Sequence, residues 1–112
     1  MTAATLSPRA RRDVHSAVEW ITRDNPVAAQ GLLNAVLRAA ERIGEHPPIG
    51  VRRPDLTASL RYSFVVLIGY PYLIVYTADR NPPVIVRIVH GARDLPGCSE
   101  ISRSERVGPN RP

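Results

Sequence analysis

The chain has 112 residues, a length that supports one domain with a modest core. Its 44% hydrophobic and 22% charged content sits near globular averages and excludes wholesale disorder. All fifteen basic residues are arginine, against ten acids, and the resulting charge of +5 is spread along the chain without the basic block of a nucleic-acid arm.

Leu6-Ser7-Pro8 opens the first element, with Ser7 as a helix cap and Pro8 at the first helical position. Ala10, Val14, Ala17, Val18 and Ile21 then recur with a helical period, predicting a helix over residues 8–23. Trp20 lies at the rim of that stripe and is read as covering the core. Asn25-Pro26 repeats the punctuation, and Ala29, Leu32, Leu33, Val36, Ala40 and Ile43 mark a second helix ending near Gly44 and Pro47-Pro48. So short a link predicts an antiparallel helical hairpin. Gly31 within the second helix is expected to cost about 1 kcal/mol relative to alanine.

Residues 47–58, rich in proline, read as an ordered crossing loop. Three β-branched and aromatic runs follow, at residues 60–68, 72–77 and 84–90, joined by short turns. They predict an antiparallel meander, with residues 2–6 as a candidate edge strand. The expected fold class is α+β, a helix hairpin packed on a small antiparallel sheet. Residues 1–96 form the domain, and 97–112 a polar tail expected to be flexible.

Alternation places Tyr62, Phe64, Val66 and Ile68 on one face with Val84, Val86 and Ile88. The other face takes Arg61, Ser63, Val65 and Leu67 with Ile85, Arg87 and Val89. Two helices cover only one face, so this second, half-apolar face is expected to be open. It is either ordinary exposed surface or the seat of a partner chain.

Chemistry-bearing patterns are sparse. His90-Gly91-Ala92-Arg93 leaves the last strand and offers a proton shuttle beside an anion clamp, or simply a strand cap and a local ion pair. Arg61 and Arg87 can converge on the second face only if the strand register brings them together. Tyr62 and Tyr76 read as packing residues. Cys98, alone, supplies neither a disulfide nor a zinc cluster. There is no phosphate loop, Ser/His/Asp arrangement or metal motif, no apolar run long enough to span a bilayer, and no signal-peptide start. The expected compartment is the cytoplasm.

Six short patterns occur in order across residues 6–96. They are Leu6-Ser7-Pro8-x-Ala10 with Asp13, Asn25-Pro26 with Ala29, His46-Pro47-Pro48-x-Gly50, Arg61 opening the meander, Tyr72-x-Ile74-x-Tyr76, and the closing run from Ile85 to Asp94 with Arg87, His90 and Arg93. Together they resemble the ParE branch of the ParE/RelE toxin superfamily. The resemblance implies a bacterial type II toxin that inhibits DNA gyrase without a cofactor or metal, and not an enzyme. A ParD-like antitoxin would wrap it in a hetero-oligomer, meeting DNA only through that antitoxin and no membrane. It assigns target contact to Arg87, His90 and Arg93, and antitoxin contact to Trp20, Arg61 and Arg87. The alternative is the RelE branch, ribosome-dependent mRNA endoribonucleases of the same fold, in which Arg61, His90 and Arg93 would be catalytic. That branch's terminal tyrosine is missing here, since no tyrosine follows Tyr76. A third alternative is a non-toxic basic interaction module.

Overall fold

The computed structural model describes residues 3–59, 61–67 and 69–91. A two-residue strand, β1 (Thr5–Leu6), leads into helix α1 (Pro8–Thr22), whose cap is the Ser7 hydroxyl accepting from the Ala10 N–H at 3.0 Å. Asn25 caps α2 (Pro26–Glu45) in the same way, accepting from the Ala28 N–H at 3.1 Å. Each proline stands where a backbone donor would in any case lack a helical partner. A short 3-10 turn, Pro47–Ile49, begins the crossing loop, and three strands follow: β2 (Tyr62–Val66), β3 (Tyr72–Thr77) and β4 (Val84–His90).

The sheet order is β1-β4-β3-β2. The meander β2-β3-β4 is antiparallel, as expected, but β1 joins β4 in parallel, through Thr5 opposite Val84 and Leu6 opposite Ile85. The sheet is therefore mixed. The candidate edge strand exists, over Thr5–Leu6, and runs parallel to its neighbour.

The assignment of the two faces is reversed in β2 and in the first part of β4, whereas Ile88 lies on the helix side and Val89 on the other, as expected. Val65, Leu67 and Ile85, expected on the open side, pack with Ala10, Val14, Leu32, Val36 and Ile43 beneath the helices, where Ile74 and Tyr76 complete the core. Tyr62 and Phe64 point the other way and cluster with Leu73, Val75, Val89 and Leu56 of the crossing loop. Those residues are buried, so the second face is not an open half-apolar surface. A register shift opposite Val75 and Tyr76 explains why the reversal stops partway along β4. An extra residue in β4 changes the phase of alternation, so Ile85 and Ile88 share the helix side although they are three apart.

Two tyrosines lock the layers together. The Tyr70 hydroxyl donates to the Ala28 carbonyl at 3.1 Å, and a Cβ on Gly31 would collide with that hydroxyl. Gly31 thus lowers helix propensity but admits the turn between β2 and β3 onto α2. Tyr76, fully buried on β3, donates to the Pro47 carbonyl and accepts from the Gly50 N–H at 2.9 Å, fixing the start of the crossing loop.

Candidate functional site

β1 covers only the first part of the outer edge of β4, and side chains of α1 and its cap take over where it stops. The Ser7 N–H donates to the Ile85 carbonyl at 2.9 Å, and the Ser7 hydroxyl donates to the Val86 carbonyl at 3.0 Å. Further along, one carboxylate oxygen of Asp13 accepts from the Ile88 N–H at 2.9 Å and from Arg87 Nε at 2.8 Å. A second Arg87 nitrogen lies 3.4 Å from the other oxygen. Arg9, one turn earlier on α1, stands 3.8 Å from the same carboxylate. Arg87 is only 6% exposed, so its charge is held inside the protein. A buried guanidinium is tolerable only with such a partner.

β4 ends at His90, half-buried, with its ring edge-on to Tyr72 at 5.2 Å between centroids. The next residue is fastened too, since the Gly91 N–H donates to the Pro71 carbonyl at 2.8 Å. Arg93, Cys98 and the 97–112 tail lie outside the described residues.

Arg61 is elsewhere. It is exposed just before β2, paired with Asp79 at 2.8 Å, with its guanidinium 5.6 Å from the Tyr62 ring centre. Its neighbour Tyr62 pairs with Thr77, whereas His90 pairs with Tyr72 at the far end of β3. Five strand steps separate those positions, roughly 17 Å. Arg61 and Arg87 do not converge either, for each is engaged by a different aspartate on opposite sides of the sheet.

The hairpin presents a second surface. Trp20 does not cover the core as its place in the stripe suggested. It is 57% exposed, with Arg23 over its ring at 5.4 Å. Beside it lies a cleft of ≈ 370 Å³ lined by Val18, Glu19, Thr22 and Arg23. Another of ≈ 410 Å³ runs between α2 and the end of β2, lined by Ala35, Arg38, Glu41, Arg42 and Leu67. Sequence reasoning missed this cleft. Its only advance signal was a pair of arginines four apart on α2, off the apolar stripe. It also missed the partnership of Asp13 with Arg87, which are 74 residues apart.

Among the described residues no group of His, Cys, Asp or Glu could hold a metal ion, and no helix is long and apolar enough to cross a membrane. The hairpin thus carries two clefts of mixed polar and apolar lining, and the sheet a tethered strand end bearing a histidine.

Comparison with known proteins gives three agreeing results. The family described as ParE toxin of type II toxin-antitoxin system, parDE, matches residues 4–95. Toxin RelE3 of Caulobacter vibrioides is 30% identical over 90 residues, covering 80% of this chain and 95% of that protein. A solved structure of the chromosomal ParDE TA system from P. aeruginosa superposes with a TM-score of 0.66 at 14% identity, covering 80% of this chain and 96% of that one. At that identity the structure speaks for the fold.

Proposed function

From the premise that the chain belongs to the ParE toxin family of type II toxin–antitoxin systems, we propose that it poisons DNA gyrase by binding it. It breaks no bond itself. The observation that carries this reading is the separation of Arg61 from His90 at opposite ends of β3. Cleavage of RNA on the RelE pattern needs a base, an acid and phosphate-binding arginines around one phosphodiester. Arg61 is held by Asp79, and His90 rests against Tyr72. Target contact is assigned to the end of β4, through His90 and the segment containing Arg93. Arg87, buried, contributes from behind that surface.

A ParD-like antitoxin neutralises the toxin by covering exposed parts of the hairpin and the start of β2. Exposed Trp20 and Arg61 are its anchors. The cleft beside Leu67, lined by Arg38 and Arg42 with Glu41 between them, suits an apolar side chain of a segment that orders on binding and pairs a carboxylate with one of the arginines. DNA binding belongs to the antitoxin, the resting form is the hetero-oligomer, and the site of action is the cytoplasm.

The second reading, ribosome-dependent mRNA cleavage, is favoured by the name of the Caulobacter relative. Purified gyrase on relaxed plasmid separates the two. The proposal expects supercoiling to fall and cleaved plasmid to accumulate as protein is added, and both to recover with antitoxin. Normal supercoiling together with mRNA cleavage on programmed ribosomes would transfer the assignment to the RelE reading.

A further inference from the structure

We propose that Asp13 is the positioning residue for the target-facing end of β4, acting through Arg87 and the Ile88 backbone. The inference rests on the gyrase reading for its biological meaning, but its geometry stands apart from it. The parallel partner β1 ends opposite Ile85, and among the described residues no strand continues along the outer edge of β4 beyond that point. An uncovered strand end frays and has no fixed direction. Here α1 acts as the missing strand. Ser7 binds the Ile85 and Val86 carbonyls, and Asp13 binds the Ile88 N–H. The same carboxylate fixes the Arg87 guanidinium by two contacts, at 2.8 and 3.4 Å. The side chain of Asp13 is 14% exposed and that of Arg87 7%, so water offers neither group a full substitute.

A surface salt bridge would be a different matter, because exposed pairs exchange readily with solvent. This one is enclosed, and it holds a main-chain donor as well as a side chain. Two residues beyond Ile88 comes His90, on which target contact depends in the proposal above. One helix residue thereby sets the direction of the strand up to His90. Arg87 serves as a strut inside the protein, which reconciles its place in the closing motif with its burial.

The position of His90 can be read directly. Its imidazole protons lie beside the Tyr72 ring and carry a ring-current shift that changes if the strand end moves. Two variants of the full chain are compared at one pH by NMR and in the gyrase assay. Asp13→Asn removes the carboxylate charge facing the buried Arg87, so it can lower stability as well as shift the strand. The double variant Asp13→Leu with Arg87→Met replaces the pair by apolar groups of similar size, a change buried pairs often tolerate, while still removing the tether on Ile88.

The expected result for the double variant is a thermal midpoint below the parent's but above that of Asp13→Asn, displaced His90 ring signals, and gyrase inhibition weakened roughly tenfold. Antitoxin binding, anchored on exposed Trp20 and Arg61 and not on the buried Arg87, should stay within about twofold. Unmoved His90 signals in the double variant would overturn the positioning role, since the strand end would then hold its place without Asp13. Equal losses of inhibition and antitoxin affinity, tracking the loss of stability, would overturn it as well. A parent protein without effect on gyrase would defeat the functional reading alone, because the NMR comparison does not depend on it.

Discussion

Along β4 the sheet is finished by α1 and its cap, with the Ser7 backbone and hydroxyl and the Asp13 carboxylate all bonded to strand backbone. Along β2 it is finished by the crossing loop, where Val51 exchanges two backbone hydrogen bonds with Phe64, at 2.7 and 3.0 Å. Both borders carry aspartate–arginine pairs at 2.8 Å, Asp13–Arg87 on one and Arg53–Asp55 on the other. Equal distances conceal unequal worth. The first pair is enclosed and bonded onward to Ile88, whereas the second joins exposed neighbours within one loop. Burial, and the main-chain group at stake, decide what a pair contributes.

The contrast is broken most severely at Asp13. Asp13→Ala removes the carboxylate that faces the buried Arg87 guanidinium and takes away the acceptor of the Ile88 N–H. Loss of one partner from a buried pair costs about 3–5 kcal/mol, a large share of the stability of a small domain. Urea unfolding should show a midpoint far below that of the parent. A midpoint within experimental error of the parent would mean that the α1–β4 border is held by apolar packing alone.

The crossing-loop border has its own sensitive point, and it is steric. Gly50 has φ −77°, which any residue adopts, so conformational freedom is not the reason for glycine there. A Cβ would stand 2.7 Å from Tyr76 Cε1 and from its hydroxyl oxygen, and 2.9 Å from Ser63 Cβ. Gly50→Ala must push the loop away from the Tyr76 hydroxyl or displace a fully buried ring. Overpacking of this kind costs about 1–3 kcal/mol, less than the loss of Asp13. Urea midpoints rank the two, and a reversed order would make the loop the stronger border.

How much of this was legible in advance depended on the range of the interaction. Ser7, Asn25 and their following prolines announce both helix starts, because capping is settled within four residues. The bounds of β3 and β4 also follow from local runs between turn residues. β2 proved shorter than residues 60–68, starting at Tyr62 and ending at Val66. Which face meets the helices was not legible. Residues such as Val65, Leu67, Phe64 and Val75 make both faces apolar, and alternation separates faces without saying which is covered. The register shift opposite Val75 and Tyr76 then altered the phase in β4, which no single strand announces. At the site, His90 was visible as the end of a strand and Trp20 as a residue at the rim of its stripe. The Asp13–Arg87 contact was invisible, for it exists only once α1 lies along β4.

The smallest effect is expected at Asp55, and its pH dependence tells it apart from Asp13. The Arg53 guanidinium donates to both carboxylate oxygens of Asp55, at 3.0 and 2.8 Å. That hydrogen bonding holds the Asp55 carboxyl below its ordinary value, and raises that of Arg53 beyond any working pH. A depressed carboxyl favours the folded state when ionised. The contribution is fully present above the pKa of the unfolded chain and fades as pH falls through the lower folded value. Because the group is open to solvent, salt should screen it as well. Asp55→Asn should therefore leave the urea midpoint at neutral pH almost unchanged, with the small remaining difference vanishing in acid and in high salt. A large, salt-insensitive loss at neutral pH would place Asp55 beside Asp13 and dissolve the distinction between the two borders.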